Sequence, residues 1–261
     1  MDKRELLRRT ARNEDERILL GQVWDRYEKC RSRSMATHTA FLSPAEAAAA
    51  QRLLHTMGVT EDYALWGGYE GAERAQLHFL PDWLEAPEED AIRALRCTWY
   101  PGDKLTHRDF LGSLMGLGIV RETVGDILVD DHTADVLVAD TVADFLSENW
   151  TSAGRTHLEV AGISLHDLHL PQRQCREVRD TVSSLRLDNV AAAGFSLSRS
   201  RAAEAVEAGK VQVNWTDCTR GDKTLSEGDV ITLRGMGKIE LLEVGKLTKK
   251  GRISVVIRRY G

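Results

Sequence analysis

The chain has 261 residues, of which 42% are hydrophobic and 29% are charged, and its formal net charge at pH 7 is −5. This length accommodates two or three small domains, each with a core of its own. No apolar run approaches the roughly 20 residues that a membrane-spanning helix needs, and the charged start at Met1–Glu5 is not followed by a secretory leader. We therefore expect a multi-domain α/β (α+β) protein of the cytoplasm, with no part in the membrane.

Residues 1–88 are predicted to form a small α/β domain. A long helical pattern near the start carries the apolar residues Leu7, Ala11, Ile18, Leu19, Val23 and Tyr27. A second helix is predicted to begin after Ser43, because Ser43 and Glu46 have the spacing of a capping box. Two strands, 63–66 and 76–80, are predicted on either side of a glycine-rich turn.

Residues 89–175 follow an acidic link and show a different pattern. The predicted elements are strand 94–100, a helix capped by Thr106, strands 126–129 and 135–138, a helix through Leu146, and strand 157–163. The order β-α-β-β-α-β is that of the ferredoxin-like fold, which RNA-recognition domains share. Those domains stack bases on aromatic residues of the third strand, but strand 135–138 has none. Trp99 and Tyr100 on the first strand either contact RNA or pack in the core or at an edge.

Residues 176–261 differ from the rest of the chain in charge. They contain 16 Lys and Arg against 11 Asp and Glu, a net charge of +5, which leaves −10 for residues 1–175. The stretch 246–261 has six basic residues and no acidic one. This asymmetry favours a polyanion-binding module joined to acidic domains, and a solvated basic face without a partner is the alternative.

The segment Ser198–Arg201 carries the strongest candidate site. A short helix is predicted to begin there, so its free N–H groups, two hydroxyls and two guanidinium groups offer hydrogen bonds to phosphate. A plain capped surface helix is the alternative. The predicted RNA-binding residues share a donor side chain in or near this module, and they are Arg186, Ser198, Arg199, Ser200, Arg201, Lys210, Asn214, Arg234, Lys238, Lys246, Lys249, Lys250 and Arg252.

Four segments of this module resemble the S4 RNA-binding domain. They are Arg186–Asp188, Leu197–Ala203, Ala208–Asn214 and Glu227–Ile231, and the resemblance covers about 60 residues. The resemblance implies two helices packed on a small sheet, with a basic helix face that binds structured RNA.

A second resemblance covers nearly the whole chain. The segments 41–44, 105–119, 125–129, 234–238 and 245–252 look like those of YlmH-type proteins. This resemblance implies a bacterial cytoplasmic protein encoded near cell-division genes, in a cell-division gene cluster. We expect the protein to be a monomer. The resemblance also implies association with the large ribosomal subunit through ribosomal RNA, and a part in translation as a quality-control factor for stalled nascent chains. Peptidyl-tRNA is a second candidate RNA for such a protein.

Enzymatic alternatives are less well supported by the sequence. An S4 domain often delivers a pseudouridine synthase or an RNA methyltransferase to RNA, so these are the main rivals. The only Arg-Leu-Asp, Arg186–Asp188, lies inside the S4 segment, and we find no glycine-rich loop after a strand. His166 and His169 have a spacing that a metal site can use, although loop histidines before Pro171 are the simpler interpretation. We predict no catalytic residue, no cofactor and no metal.

Overall fold

The computed structural model describes residues 2–170, 175–248 and 251–260. The chain divides into two compact units, residues 1–171 and 172–261. Both units mix helices with strands, which confirms the predicted α/β (α+β) class. Across the described residues, no helix combines the length and the apolar character required to cross a bilayer.

The elements are numbered in chain order. In the first unit the helices are α1 (Lys3–Thr10), α2 (Glu14–Arg33), α3 (Pro44–Thr56), α4 (His107–Gly116) and α5 (Asp140–Asn149). Its strands are β1 (Thr37–Leu42), β2 (Tyr63–Trp66), β3 (Ala75–Phe79), β4 (Ile92–Thr98), β5 (Val124–Val129), β6 (Thr133–Ala139), β7 (Ser152–Ala153), β8 (Thr156–His157) and β9 (Glu159–Ile163). The second unit contains α6 (Leu187–Phe195), α7 (Arg199–Glu207), β10 (Cys175–Val182), β11 (Val211–Val213), β12 (Thr216–Asp217), β13 (Val230–Leu233), β14 (Gly237–Leu247) and β15 (Ile253–Tyr260).

The first helical segment is two helices, so the prediction of one long helix was wrong. The side chain of Asn13 accepts a hydrogen bond from the backbone N–H of Glu16 at 2.8 Å, and this cap starts α2. Glu16 in turn accepts from the backbone N–H of Arg12 at 2.7 Å. The apolar periodicity continues across the break because both helices pack on the same core, and periodicity alone therefore did not reveal the break.

The start of α3 confirms the predicted capping box. Ser43 and Glu46 exchange both hydrogen bonds, with Pro44 in the first turn. Strands β2 and β3 pair antiparallel, as predicted from the turn between them.

Strand β1 was missed by the sequence analysis. It pairs with β3 and lies at the edge of a three-stranded sheet in the order β1-β3-β2. Its buried residues include Thr37 and Thr39, whereas His38 is exposed. A strand with polar residues on both faces lacks the apolar alternation that marks a half-buried strand.

Residues 92–163 confirm the predicted ferredoxin-like fold. The four long strands lie in the order β5-β6-β4-β9, and all neighbours are antiparallel. Helices α4 and α5 pack on one face of this sheet through a core that includes Leu95, Phe110, Val136 and Leu146. Trp99 is buried in that core, whereas Tyr100 is 79% exposed just beyond the end of β4.

The other face of the ferredoxin-like sheet is covered by the chain itself. Ile92, Ala94, Leu128 and Leu137 on that face pack with Phe41 of β1 in a separate core. Leu165 and Leu168, which follow β9, pack against the same core. RNA-recognition domains bind bases on the corresponding open face, so stacking of bases there is blocked over the covered area.

The segments before and after residue 88 are joined by polar contacts as well as by this core. The carboxylate of Asp126 accepts hydrogen bonds from the hydroxyl of Tyr69 at 2.7 Å and from the backbone N–H of Arg74 at 3.0 Å. The Arg74 guanidinium donates to the carbonyl oxygens of Phe41 and Val124, at 3.0 and 2.9 Å. The predicted boundary at residue 88 therefore falls inside one compact unit, while the one at residue 175 lies close to the division at 171.

Substitution of Gly125 tests how closely β1 approaches the ferredoxin-like sheet. A Cβ at this position would lie 2.7 Å from a ring carbon of Phe41 and 3.0 Å from the Cβ of Leu137. We expect Gly125→Ala to lower the free energy of unfolding by about 1–3 kcal/mol, because the packed core has no room for the methyl group. Thermal unfolding measures this loss.

The matched control is Gly112→Ala. Gly112 is an exposed residue within α4, and an added Cβ there would meet no atom within 4 Å. We expect this substitution to stabilise the protein slightly, since alanine favours helix interiors over glycine. Equal melting temperatures for the two variants would contradict the close approach of Phe41.

The second unit has the architecture that the S4 resemblance implies. Helices α6 and α7 pack on a six-stranded sheet in the order β10-β15-β14-β13-β11-β12. The core includes Phe195 and Val206 from the helices and Ile239 and Ile257 from the sheet. Gly194 permits the close contact between α6 and the sheet, because a Cβ there would lie 2.4 Å from the Cδ1 atom of Ile239.

The position of Trp215 differs from the one that its sequence pattern predicts. Its alternation with Val211 and Val213 predicts a buried position, but only the two valines are buried. Asn214 and Trp215 have φ angles of 49° and 56° and form the turn of the β11–β12 hairpin. Two consecutive left-handed residues are typical of a type I′ turn, whose backbone twist fits a two-residue hairpin loop. Trp215 is therefore a half-buried turn residue and not part of the core.

Candidate nucleic-acid interface

The amino-terminal end of α7 presents the group of donors that the sequence predicted. Ser198 caps the helix by accepting a hydrogen bond from the backbone N–H of Arg201 at 3.3 Å. Arg199, Ser200 and Arg201 are exposed, and Ala202 faces the core. The partial positive charge of the helix end, its free N–H groups and the two guanidinium groups therefore lie on one exposed turn, which suits a phosphate group.

Asp188 links this turn to the start of α6. It is only 5% exposed, and its carboxylate accepts a two-pronged pair of hydrogen bonds from the Arg186 guanidinium at 3.2 and 2.9 Å. The Arg199 guanidinium lies 3.7 Å from the same carboxylate. One buried carboxylate thus holds two arginines at the same place on the surface, one from the N-cap of α6 and one from the first turn of α7.

The charge balance of this group remains positive. Two guanidinium groups against one carboxylate leave a net charge of +1, and the hydrogen bonds from Arg186 to Asp188 raise the pKa of Arg186 further. Arg186 and Arg199 keep 43% and 60% of their side chains exposed, so both can contact a ligand while Asp188 orients them. Planar guanidinium groups held in this way suit the paired oxygens of a phosphate.

The role of Asp188 was not predicted from the sequence. The motif Arg186–Asp188 belongs to the S4 resemblance, and that pattern does not indicate that the aspartate holds two arginines. A usable signal was its position in the first turn of a largely apolar helix, where a buried carboxylate needs a cationic partner.

The substitution Asp188→Asn distinguishes two effects of Asp188 on RNA binding: its orientation of the two arginines and its contribution to the net charge of the interface. The substitution removes one negative charge, so an interface governed by net charge alone would bind RNA more tightly. We expect weaker RNA binding instead, because an amide no longer holds Arg186 and Arg199 through ion pairs. Filter binding with ribosomal RNA measures the change, and thermal unfolding of the same variant reports any loss of folded protein.

The control for this prediction is Asp180→Asn. Asp180 is exposed on β10, and its carboxylate accepts a hydrogen bond from the neighbouring backbone N–H of Thr181. The charge change is identical, but neither helix start is involved. RNA binding that rises equally in both variants would contradict a positioning role for Asp188.

Lys210 and Arg234 form a second basic pair. The backbone N–H of Arg234 donates to the carbonyl oxygen of Lys210 at 3.0 Å, next to the paired residues Val211 and Leu233. Both side chains are exposed. Lys210 follows the carboxyl end of α7, so it lies roughly 15 Å along the helix from Arg199. The basic residues thus occupy both ends of α7.

Lys238 and Asn214 have partners within the protein. The ammonium group of Lys238 lies 4.6 Å from the ring centre of Tyr260, a distance typical of a cation–π contact. The amide of Asn214 donates to Asp229 at 2.7 Å and accepts from the backbone N–H of Val230 at 2.9 Å. Asn214 therefore connects the β11–β12 turn to the start of β13 by hydrogen bonds. Its contact with RNA stays a prediction.

Of the remaining predicted residues, Lys246 lies in β14 and Arg252 directly precedes β15. Lys246 is exposed near the end of β14. The Arg252 guanidinium donates to the hydroxyl of Thr181 at 2.8 Å and also to its carbonyl oxygen, which ties the hairpin to β10. Lys249 and Lys250 lie outside the described residues.

Comparison with known families agrees with this architecture. Residues 185–231 match the model of the S4 domain, and residues 100–167 match the model described as a putative RNA-binding domain in YlmH. The first match spans both helices and the basic turn at Ser198, and the second spans most of the ferredoxin-like part. The fold and its basic helix ends therefore define an S4-domain protein.

A curated relative extends the similarity to nearly the whole chain. It is the ribosome-associated protein quality control protein P2 of Bacillus subtilis (strain 168), 32% identical over 253 residues, which cover 94% of this chain and 95% of the relative. The chain belongs to the YlmH family. A solved structure, the cell division protein ylmH from Streptococcus pneumoniae, is 21% identical with a TM-score of 0.49 and covers 60% of this chain and 96% of its own.

Proposed function

We propose that this chain is a non-enzymatic protein that binds structured ribosomal RNA through its S4 unit and acts on the large ribosomal subunit. The observation that carries the proposal is the arginine pair Arg186 and Arg199, held by the buried carboxylate of Asp188 beside the capped start of α7. Such a pre-ordered pair recognises the phosphate backbone of a folded RNA rather than a base sequence. Ser200, Arg201, Lys210 and Arg234 complete the interface in this proposal.

The process in which the protein acts is inferred from its relative. The Bacillus subtilis protein is named as a ribosome-associated quality control protein, and the match extends over both units of this chain. We infer that this protein serves the same process on stalled nascent chains as a cytoplasmic monomer. Peptidyl-tRNA is then a second RNA in reach of the bound protein.

Co-sedimentation with ribosomes tests the proposal. The full chain is mixed with purified large and small ribosomal subunits and centrifuged through sucrose at moderate salt. We expect the chain in the large-subunit fraction, and electron cryo-microscopy of that particle would locate the S4 unit on ribosomal RNA. The proposal would be contradicted if the chain sedimented only with the small subunit, or if it stayed in the unbound fraction.

Modification of RNA is the rival activity, and the site argues against it. The aspartate of Arg186–Asp188 is buried and paired with two arginines, which leaves it unsuited to attack a nucleoside. We expect ribosomal RNA incubated with the protein, with and without S-adenosylmethionine, to keep its nucleosides unchanged in mass spectrometry. A new pseudouridine or methyl group would favour the enzymatic alternative.

A further inference from the structure

A cleft of about 420 Å³ lies in the first unit, and all of its lining residues belong to that unit. Its floor includes His38 and Ala40 of β1 with Gln76 and His78 of β3. Its walls come from the segments 80–91, 122–123 and 139–141. The cleft therefore opens beside the joint between the amino-terminal sheet and the ferredoxin-like sheet.

Two buried side chains on this floor lack hydrogen-bond partners. Gln76 has a relative exposure of 0%, and neither its amide nitrogen nor its amide oxygen is paired with any residue that the structure describes. His78 is 4% exposed, and its Nε2 atom is likewise unpaired within the described ranges. Buried polar atoms are rarely left without partners because their desolvation is not compensated. A group from outside the chain that donates hydrogen bonds is the natural partner for the Gln76 amide oxygen and the His78 Nε2 atom.

The buried imidazole ring on the floor carries no charge that would oppose a cation. His38 and His78 stack with their ring centres 5.3 Å apart. Burial, with a smaller effect of His38, lowers the pKa of His78 to about 4, so His78 is neutral at pH 7. The Nδ1 atom of His38 lies 3.0 Å from the carbonyl oxygen of Thr39 and donates to it.

The walls of the cleft are acidic. Glu88, Asp90, Glu122 and Asp140 contribute carboxylates, and Arg26 is the opposing cation among the lining residues. Asp140 is partly neutralised by Arg93 at 3.1 Å. This charge repels phosphate and attracts a cation. Within the described residues no three His, Cys, Asp or Glu side chains are placed to hold a metal ion, which favours an organic cation.

A second cleft of about 510 Å³ shares Arg26, Thr39, Ala40 and Glu122 with the first. It follows β1 along α2 and adds the carboxylates of Asp25 and Glu46, with Lys29 as a further cation. The two clefts together form a continuous surface along the edge strand β1. This surface is longer than a single small cation would occupy. Residues 1–175 carry a net charge of −10, which favours a basic protein as the partner.

We propose that the first cleft binds the guanidinium or ammonium group of an arginine or lysine side chain, presented by an extended segment of a basic partner protein. The carboxylates on the walls attract the cation, and the unpaired amide oxygen of Gln76 and Nε2 atom of neutral His78 accept its hydrogen bonds. The shared chemistry is an organic cation that donates several hydrogen bonds. This site is separate from the RNA interface and does not depend on it.

Binding of capped peptides to the full chain tests the proposal. The probe is acetyl-Gly-Gly-Arg-Gly-Gly-amide, its control carries neutral citrulline in place of arginine, and arginine amide represents a free cation. We expect the arginine peptide to shift the side-chain amide resonance of Gln76 in NMR spectra, with no shift from the citrulline peptide. Arginine amide that binds as tightly as the peptide would assign the site to a free cation and overturn the choice of a protein segment.

Gln76→Met distinguishes a binding residue from a structural one. Methionine has a similar shape but no unpaired polar atoms, so the free protein should gain stability, with a melting temperature higher by about 2–4 °C. Peptide binding should weaken by roughly tenfold or more. A variant that instead loses both stability and binding would assign Gln76 to the fold alone.

A second variant changes two exposed carboxylates on the walls of the cleft and leaves the core unchanged. Glu88→Gln with Glu122→Gln should weaken peptide binding by roughly threefold to tenfold and reduce its dependence on salt. The matched control is Glu85→Gln with Glu89→Gln, two exposed residues of the same region that do not line the cleft. Equal effects of the two pairs, equal shifts from the citrulline peptide, or shifts from an RNA oligonucleotide only would overturn the proposal.

Discussion

Replacing Arg199 and Arg201 should remove the protein from the large ribosomal subunit. Both arginines are exposed in the first turn of α7, where the helix end already favours an anion. We expect Arg199→Gln with Arg201→Gln to abolish co-sedimentation at moderate salt. If each arginine contacts one phosphate, the slope of log affinity against log salt becomes less negative by about 2.

The choice of glutamine follows from the position of Asp188. The sequence alone suggests that glutamate at both positions leaves stability nearly unchanged, because surface substitutions usually cost within about 0.5 kcal/mol. The structure places Arg199 3.7 Å from the buried carboxylate of Asp188, so glutamate there would face a like charge. The Glu pair is therefore expected to lose stability as well as RNA binding, and glutamine separates the two effects.

The matched control removes the same charge elsewhere in the unit. Arg176→Gln with Arg179→Gln changes two exposed arginines of β10. We expect this pair to stay with the large subunit and to keep its melting temperature. If the Arg199 and Arg201 variant also stays, the basic stretch from Lys246 to Arg259 becomes the better candidate for the main contact.

RNA binding should depend steeply on salt and should reside in the second unit. Neutralising roughly six phosphates gives a slope near −5, so affinity should fall about 10³-fold between about 50 and 200 mM salt. We expect residues 176–261 to bind ribosomal RNA with nearly the slope of the full chain, and residues 1–175 not to bind. The fragment contains the buried core residues Val182 to Ile257, which supports its independent folding.

Filter binding of both fragments across a salt series makes the measurement. Circular dichroism and thermal unfolding first establish that each fragment is folded. Salt-independent binding, or binding by folded residues 1–175, would contradict an interface confined to the S4 unit.

Local signals made much of the fold predictable. The capping box at Ser43 starts α3 because its hydrogen bonds involve residues three positions apart. The order of strands and helices in residues 92–163 was predictable from the sequence, because apolar runs indicate its buried strands and Thr106 indicates the start of α4. Strand β1 was missed because its burial depends on contacts with α2 and β3. The sequence of β1 has no alternation of apolar and polar residues that would indicate these contacts.

The candidate interface was predictable in its residues but not in their arrangement. Exposed arginines at a capped helix start are visible in the sequence, whereas the sharing of Asp188 by Arg186 and Arg199 depends on how α6 packs against α7. Trp215 was misplaced because alternation was extended two residues past the end of β11. The unpaired atoms of Gln76 and His78 have no sequence signature at all, since only the packed sheet determines which atoms lack partners.

The packing of β1 on the ferredoxin-like sheet has a consequence for folding during synthesis. Phe41 is synthesised early, but Leu137, which packs against it, is added about 60 residues after the end of β3 at Phe79, and at about 5–20 residues per second this takes roughly 3–12 s. During that interval the amino-terminal sheet exposes an apolar face without its partner. The nascent chain is therefore most vulnerable to aggregation, and most dependent on chaperones, between the emergence of β3 and the completion of β6.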